Sequence, residues 1–391
     1  MRKRFNLFLL VVLVVAIFGY GVGYSLGEEK ETTFKNLDIF AEGIATIEEK
    51  YVEEQELKDL IYGAMKGALS SLDSYSQFLT PDDYKNLIIE TEGKFGGLGI
   101  EITMKDGVLT IISPIEDTPA WEAGIQAGDI IVEIDGESTQ DITLAEAVKK
   151  LRGKPGTKVT LTVLHPNQRE TSEIKITRDI IKIEDIKNSS ILEDGIGYVK
   201  ISEFRESTAK DLEKELDQLK EEKLIGLILD MRNNPGGLLS SAVDVSSIFL
   251  KEDLPVVSTD SRNQEEIVYR SDSFSSKLLD IPIVVLINKG SASGSEIVAA
   301  ALRDNNRAVL MGETTFGKGS VQTIIPLSDG SAMRLTTSRY YTPDGISIHE
   351  KGVEPDIVVK KKEVTESEDV FERLQKEKNF EYKEDYQVIR A

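Results

Sequence analysis

The chain has 391 residues, enough for two or three domains, and it carries 68 acidic against 47 basic residues, a net charge of -21. A chain this acidic lacks the basic face that nucleic acids require, so nucleic acid is not expected as a partner. It contains no cysteine and two histidines, His165 and His349, which are far apart. Disulfides, thiolate metal sites and a cysteine nucleophile are therefore excluded, and we expect neither a metal nor a cofactor.

A charge-free apolar run follows the basic start MRKR. The run covers Leu7–Tyr24, and at about 1.5 Å per residue it spans roughly 27 Å, close to the ~30 Å hydrocarbon core of a bilayer. Basic residues before such a run are typical of the end that stays in the cytoplasm. Residues 1–26 therefore predict a single-pass anchor in the cell membrane, with the rest of the chain on the periplasmic or extracellular side. A cleaved signal peptide is the alternative.

Residues 27–92 have a helical pattern. In its first half, apolar residues recur three and four positions apart, at Leu37, Phe40, Ile44, Ile47 and Tyr51. Such a stripe either packs on the protein's own core or pairs with a second copy of the chain. The second alternative predicts a homodimer through these N-terminal helices.

Residues 93–180 read as short strands punctuated by glycine. The segments GLGIEITM and VLTIISPI flank the turn KDG, and GDIIVEIDG is typical of a further strand pair. One helix, TLAEAVKKL, begins with the Thr-x-x-Glu pattern of a capping box. Several short strands, one helix and no evident catalytic set indicate a binding module.

This segment resembles a PDZ domain through FGGLGIEI, TPAWEAGIQAGDIIVEIDG and LRGKPGTKVTLTV. The resemblance implies that a loop binds the terminal carboxylate of a peptide through its backbone N–H groups, and that the peptide adds as a strand to the sheet edge. The loop residues would be Gly97, Leu98, Gly99 and Ile100. The helix over residues 144–151 would form the other wall of the groove. A small β-domain without a ligand is the alternative.

Residues 181–362 alternate between strand and helix. The runs LIGLILDMR, PIVVLIN and RAVLMGE are nearly continuous in apolar residues, which is typical of buried strands in a largely parallel sheet. Sites in such α/β folds gather where strands end and helices begin. Two small-residue segments occupy such junctions, NNPGG at 233–237 and SASGS at 291–295. Residues 363–391 form a charged tail in which we identify no chemistry.

Ser293 has two interpretations. Together with Glu296 it matches a capping box, and most serines at helix starts do no more than cap. A serine at a helix N-terminus is also well placed as a nucleophile, because backbone N–H groups there can stabilise an oxyanion. Gly294 supplies one unobstructed N–H, and the Gly236-Gly237 junction can supply another.

A nucleophilic serine needs a base, and neither histidine is attractive, because His165 lies in the PDZ-like segment and His349 has no evident acidic partner. Lys318 is the remaining candidate. Period-two alternation would place Lys318, Ser320 and Gln322 on one face, where the amide of Gln322 could orient the amine. Lowering a lysine pKa from about 10.4 to near 7.5 takes about 4 kcal/mol of desolvation, within the range that burial supplies. A surface lysine in a turn is the ordinary alternative.

The segments LDMRNNPGGLL and NKGSASGSEIVAAALRDNNRAVLMGETTFGKGSVQTIIPL resemble the carboxyl-terminal processing proteases, also called tail-specific proteases. The resemblance implies an α/β fold with a crotonase-like catalytic core, an inserted PDZ-like α+β domain and N-terminal helices. It makes Ser293 the nucleophile, Lys318 the general base and Gln322 its orienter. It also implies oxyanion donors from Gly294 and from either Gly236 or Gly237.

The function that this resemblance implies is a serine endopeptidase. It would bind the C-termini of substrate proteins through the PDZ-like domain and cleave unfolded or tail-exposed chains through an acyl-enzyme. Two other classes stay open: a tethered PDZ adaptor or holdase with an inactive core, and an acyl-CoA enzyme that shares the crotonase fold. We interpret Asp304, eleven residues after Ser293, as a helix-ending residue rather than a catalytic one.

Overall fold

A computed structural model of the protein describes residues 35–105, 107–115, 117–165, 170–262, 264–273, 280–360 and 382–391. These residues form two compact units. One unit holds the described residues up to Thr80 together with Ile324–Leu335, and the other holds Pro81–Thr323 and Thr336–Ala391.

The helices are α1 over residues 35–50, α2 (Leu57–Ser70), α3 (Pro81–Glu92), α4 (Pro119–Glu122), α5 (Leu144–Leu151), α6 (Thr208–Glu221), α7 (Leu239–Phe249), α8 (Gly294–Asp304) and α9 (Tyr386–Arg390). The strands up to the PDZ-like segment's end are β1 (Gln77–Leu79), β2 (Lys94–Gly97), β3 (Ile100–Lys105), β4 (Val108–Pro114), β5 (Ile130–Ile134), β6 (Glu137–Ser138), β7 (Lys158–His165), β8 (Glu170–Thr177) and β9 (Asp179–Lys182). The later strands are β10 (Ile186–Ile191), β11 (Ile196–Ile201), β12 (Gly226–Asp230), β13 (Pro255–Ser261), β14 (Gln264–Arg270), β15 (Ile283–Ile287), β16 (Val309–Gly312), β17 (Ser320–Pro326), β18 (Ala332–Tyr341) and β19 (Ile357–Val358).

In the first unit, the apolar stripe predicted for the N-terminal helices lies on α1 and the residue that follows it. Four of its five side chains are about half exposed, from 44% to 56%: Leu37, Phe40, Ile47 and Tyr51. Among the described residues, the stripe therefore does not lie in a hydrophobic core. In the same unit, β1 pairs antiparallel with the start of β18, with Phe78 opposite Met333.

The predicted location in the cell membrane needs correction. In the seven stretches of chain that the structure describes, no helix is both long enough and apolar enough to cross a bilayer, so the prediction of a single-pass membrane protein is contradicted. The Leu7–Tyr24 run, on which the prediction depended, lies outside the described residues.

In the second unit, residues 98–177 form a five-stranded antiparallel sheet in the order β3-β4-β5-β7-β8, with β6 added to β5. Helix α5 begins with the predicted capping box, in which Thr143 N–H donates to Glu146 Oε2 at 2.9 Å and Glu146 N–H donates to Thr143 Oγ1 at 3.3 Å. Among the strands that the structure describes, β3 is the last strand of the sheet at one side and pairs with β4 alone. This leaves one backbone edge of β3 open, on the side where an added strand would bind.

A second sheet of this unit, the parallel sheet, has the order β10-β11-β12-β15-β16-β19 and is parallel from β11 onward. The three apolar runs of the sequence form β12, β15 and β16, and every residue of β12 is buried. Alternate strand residues face opposite sides. Leu227 and Leu229 pack with α6, α7 and α8, whereas Ile228 packs on the other side with Val388 of α9. The sheet is therefore covered on both faces, as a parallel sheet must be.

Candidate active site

Ser293 lies at the N-cap of α8, where the chain enters the helix after β15. Its backbone has φ 52° and ψ -111°, a conformation that a residue with a Cβ rarely adopts. Such strain persists only where surrounding contacts fix it, and it is concentrated at active sites. Here Ser293 N–H donates to Glu296 Oε2 at 2.8 Å, and Ser293 C=O accepts from the N–H groups of Glu296 and Ile297. The helix start holds the serine backbone in this turn.

The predicted glycine junction lies directly against Ser293. A Cβ on Gly236 would come within 2.7 Å of Ser293 Cβ and 2.8 Å of Gly294 N, so glycine is required for this approach. Fully buried Asn234 joins the two loops, because its C=O accepts from Ala292 N–H at 3.0 Å and from Ser295 Oγ at 2.9 Å. The structure therefore brings together residues that are almost sixty positions apart in the sequence.

The three predicted oxyanion glycines differ in what their N–H groups do. Gly236 N–H donates to Asn234 Oδ1 at 2.9 Å, so it is used within its own loop. Gly294 is the first residue of α8, and its N–H has no acceptor within that helix. Gly237, at φ +144°, has no acceptor for its N–H among the residues that the structure describes. Phe204 fixes this loop by donating its N–H to Gly236 C=O and accepting the N–H of Leu238.

The Glu296 side chain holds the segment of Lys318 next to that of Ser293. Its Oε2 accepts the backbone N–H of both residues, at 2.8 Å from Ser293 and 2.9 Å from Lys318. Its Oε1 accepts from Gly317 N–H at 2.7 Å and from Thr315 Oγ1 at 2.5 Å. Because Oε2 receives the amides of both Ser293 and Lys318, the backbone nitrogens of these two residues cannot be further apart than the sum of their distances to Oε2. The carboxylate is fully buried, and that burial raises the pKa of Glu296 above its ordinary value, against the opposing effect of these hydrogen bonds.

A tyrosine joins the same two segments from another element. The hydroxyl of Tyr340, in β18, donates to Lys318 C=O and lies 3.4 Å from Ser293 C=O. Its backbone N–H donates to Gly319 C=O at 3.1 Å. Tyr340 and Glu296 together fix the backbone on both sides of the predicted base.

Gln322 lies on the face that the alternation predicts. Its Nε2 donates to Ser320 Oγ at 2.9 Å and to Ser320 C=O at 3.2 Å, and it lies 3.4 Å from Thr336 Oγ1. The donor end of the amide is therefore engaged, so Oε1 is the end left to accept. Lys318 itself is half-buried and precedes β17 by two residues.

The two histidines occupy different parts of the second unit. His165 Nδ1 pairs with Asp129 Oδ1 at 2.8 Å within the PDZ-like segment. His349 lies nearer to the predicted site than its sequence position suggests, because a Cβ on Gly319 would come within 2.6 Å of His349 N. Its Nδ1 is buried with no hydrogen-bond partner among the described residues. The backbone proximity concerns Gly319 and the backbone of His349.

Asp304 forms contacts that suit the structural interpretation. Its carboxylate pairs with Arg303 at 2.9 Å and accepts the N–H of Asp344 at 3.3 Å. The side chain thus ties the end of α8 to a later turn. Within the described ranges of the chain, no cluster of three or more His, Cys, Asp or Glu residues could hold a metal ion.

The predicted carboxylate loop precedes β3. Gly99 has φ +78°, and a Cβ there would overlap the side chain of Thr118, so only glycine fits. Leu98 is buried, and its C=O accepts from Ala120 N–H at 2.9 Å. The backbone N–H groups of Leu98 and Gly99 have no acceptor in the part of the chain that the structure covers. The loop therefore offers two donors beside the open edge of β3, where Ile100 begins the strand.

Glu296, Tyr340 and Asn234 are the residues of this site that sequence reasoning did not assign to it. Glu296 matched a helix cap, and nothing in a capping box indicates that the same carboxylate also accepts two amides from residues 317–318. Asn234 stands in the NNPGG segment that the sequence did single out. Tyr340 lies in a tyrosine pair of a strand, a pattern without a functional signal.

Comparison with known families identifies the class of this chain as a serine-type peptidase with a PDZ domain. The family model of peptidase family S41 matches residues 195–359, and a PDZ domain model matches residues 110–164. The chain is 44% identical over 338 residues to the carboxy-terminal-processing protease of Bartonella bacilliformis, covering 84% of this chain and 76% of that protein. It is 37% identical over 329 residues to the carboxy-terminal processing protease CtpB of Bacillus subtilis, covering 83% and 68%.

The chain therefore belongs to the carboxy-terminal processing proteases of peptidase family S41. A solved structure from Bacteroides fragilis, of a protein assigned to the S41 proteases, shares the fold with a TM-score of 0.52 at 17% identity, over 80% of this chain and 84% of that one. The predicted family and the predicted serine-type peptidase activity are both confirmed.

Proposed function

We propose that this protease acts as an endopeptidase through a Ser–Lys dyad, with Ser293 as the nucleophile, Lys318 as the general base and Gln322 as the residue that orients the lysine. The observation that carries the proposal is the shared oxygen of Glu296, which accepts the backbone amides of both Ser293 and Lys318. A nucleophile and its base must be held in a fixed geometry for proton transfer, and this contact fixes the two segments that carry them.

In the proposed reaction, the neutral amine of Lys318 takes the proton of Ser293 Oγ as this oxygen attacks the substrate carbonyl. The tetrahedral intermediate then collapses, the C–N bond breaks, and the ammonium of Lys318 gives its proton to the leaving amine. Water next attacks the ester on Ser293 and loses a proton to the same amine, which finally returns that proton to Ser293. Gln322 Oε1 accepts from the lysine Nζ and keeps it directed at the serine.

The developing oxyanion would receive the N–H groups of Gly294 and Gly237. Gly236 was an equal candidate from the sequence, but its N–H already donates to Asn234 Oδ1. We therefore assign Gly236 the role of allowing close approach to Ser293 rather than that of a donor. Removal of one such donor typically lowers kcat by about 10²–10³-fold.

We also propose that the catalytic core, residues 181–362, is crotonase-like, with the PDZ domain inserted at residues 93–180. This proposal rests on the position of the two loops, which follow the carboxyl ends of parallel strands β12 and β15. Sites at that edge are the rule in open α/β sheets. The boundaries at residues 27, 93, 181 and 363 stay predictions.

For the PDZ domain, the proposed ligand is the C-terminal segment of a substrate protein. The free N–H groups of Leu98 and Gly99 would bind its carboxylate, and the open edge of β3 would pair with its backbone beside α5. Such a domain delivers an extended chain to the peptidase site, so the proposed substrates are proteins with accessible C-termini. The exposed stripe on α1 supports the further proposal of a homodimer in which a second copy covers it.

A serine-reactive fluorophosphonate probe tests the dyad together with the activity. We expect mass spectrometry to locate the label on Ser293, and the unlabelled chain to cleave an unfolded substrate protein at internal peptide bonds. Exposed Ser240 serves as a control in the same sample and should stay unlabelled. Cleavage that persists after complete labelling would exclude Ser293 as the nucleophile. A chain that neither reacts nor cleaves would support an adaptor, and turnover of an acyl-CoA would support the crotonase-type enzyme.

Substrate peptides that differ only at the terminus test the PDZ domain. We expect an amidated peptide to be cleaved about 10–100-fold less efficiently than the free acid, because charge-assisted hydrogen bonds to the carboxylate are lost. Gly99→Ala should remove most of this preference, since the new Cβ overlaps Thr118. Gly136→Ala is the matched control, because Gly136 has nearly the same φ, +79°, with open space around it. Equal cleavage of acid and amide by the native chain would contradict carboxylate recognition.

A further inference from the structure

Arg232 links the glycine loop of the active site to a distant part of the chain. It follows β12 by two residues and precedes Gly236 by four. Its guanidinium donates to both oxygens of Asp230, with Nη2 at 2.6 Å from Oδ2. On its other side, Nη1 and Nη2 donate to the two oxygens of Asp385 at 3.0 and 2.8 Å, and Nη1 donates to Gln387 Oε1 at 2.8 Å. The side chain is 12% exposed, so this is a largely buried, bidentate arrangement.

The segment that carries Asp385 is docked by further contacts. Asp385 caps α9, because its carboxylate accepts from the N–H groups of Gln387 and Val388. Gln387 Nε2 donates to Val359 C=O at 2.5 Å. Val388 is buried against the face of the parallel sheet opposite to α6–α8, where it packs with Tyr198, Ile228, Leu286 and Met311. Residues 382–391 are therefore part of the folded core of the second unit.

The charges of Asp230, Arg232 and Asp385 favour the ion pair between Arg232 and Asp385 at neutral pH. Burial alone would raise the pKa of Asp385, but the guanidinium of Arg232 and the N–H groups of Val388 and Gln387 together outweigh that effect and hold the pKa below its ordinary value. Burial likewise opposes the charge on Arg232, yet Asp230 and Asp385 raise its pKa. Removing the charge of Asp385 would thus leave a buried guanidinium with one of its two carboxylate partners missing.

A short path connects Arg232 to the reacting groups. The N–H of Arg232 donates to Asp230 Oδ1 at 2.9 Å, and the next residue, Asn233, exchanges two hydrogen bonds with the side chain of Asn288 at 2.9 Å. The residue after that, Asn234, accepts from the loop of Ser293, as described above. A shift of Arg232 would therefore move the loop that ends in Gly237.

We propose that residues 382–391 position the oxyanion loop of this peptidase, through Asp385 and Gln387 acting on Arg232. The proposal rests on the proposed function, in which Gly237 supplies an oxyanion donor. Arg232 and Asp385 are positioning residues here and touch no reacting atom. Their removal should therefore weaken binding of the transition state and leave binding of the intact substrate unchanged.

The variant Asp385→Asn tests this, because asparagine still caps α9 while the charge that Arg232 requires is lost. We expect kcat to fall about tenfold with KM within twofold, less than the 10²–10³-fold loss typical when a donor is removed outright. Ile389→Ala is the control on the same helix, since Ile389 is 59% exposed, and it should behave as the native chain.

A peptide boronate or aldehyde supplies the readout that a purely structural role would not change. The adduct of this inhibitor with Ser293 places an oxygen in the oxyanion hole. The affinity of the inhibitor for the Asp385→Asn variant should therefore fall by the same factor as kcat/KM. An unchanged kcat in Asp385→Asn would overturn the proposal. So would a loss of activity that matches the fraction of unfolded protein measured by circular dichroism. A native chain that cleaves nothing would instead contradict the proposed function itself.

Discussion

Lys318→Ala is expected to lower kcat by about 10⁴-fold or more, with little change in KM. A positioned general base contributes about 10²–10⁴-fold, and loss of one member of a catalytic set can cost about 10⁶-fold because the nucleophile loses its activation. The measurement is steady-state cleavage of a fluorogenic peptide. Lys289→Ala is the control, since Lys289 is an exposed lysine four residues before Ser293.

Two further results would identify the role of Lys318 as a base rather than as a positive charge. Lys318→Arg should be as inactive as Lys318→Ala, because a guanidinium keeps its proton at any accessible pH. Small primary amines added to Lys318→Ala should restore part of the rate, in proportion to their neutral fraction. An active Lys318→Arg variant would contradict the proposed mechanism.

The sequence was sufficient for the parts of the fold that local patterns determine. The apolar runs became β12, β15 and β16, and the Thr143–Glu146 pair became the cap of α5. It also placed the Gly236 junction near Ser293, because strand-to-helix loops of one parallel sheet meet at one edge. The pairing of Ser293 with Lys318 came from rejecting both histidines and from the family resemblance, and it stays a prediction.

Other features depend on packing between distant residues, and no local pattern encodes them. The partners Arg232 and Asp385 are 153 positions apart, and the tail that contains Asp385 carried no recognisable signal. The apolar stripe on α1 has helical spacing in either case, so periodicity could not decide between packing on the chain's own core and an exposed face that pairs with a second copy. The Leu7–Tyr24 run has the length of a bilayer span, but length and hydropathy alone did not establish a membrane protein.

Glu296→Gln is expected to lower kcat by about 10²–10³-fold. The Oε2 atom of Glu296 accepts the backbone amides of Ser293 and Lys318, and its Oε1 accepts the backbone amide of Gly317 and the hydroxyl of Thr315. An amide group has one acceptor oxygen, so its NH₂ would face N–H donors that it cannot satisfy, and the two segments would separate. Misplacement of a reacting group by about 1 Å can cost about 10²-fold.

The control for this variant is Glu146→Gln, which changes the same position of the capping box on α5, at an exposed site remote from Ser293 in the sequence. It should leave kcat unchanged and lower the stability of the protein only slightly. If Glu296→Gln retained native kcat, the shared carboxylate would not be what holds the nucleophile and the base together.

The pH dependence of activity gives a second test of Glu296, with a definite sign. Because burial raises the pKa of Glu296, its carboxylate is protonated, as pH falls, before an ordinary glutamate would be. Activity should decline through that range, while Glu296→Gln should lack this acid limb. In the same range the native chain binds more protons at this group than the unfolded chain does, so the contribution of Glu296 to stability increases as pH falls. Loss of activity without loss of folded protein would therefore assign the acid limb to the positioning of Ser293 and Lys318 and not to unfolding.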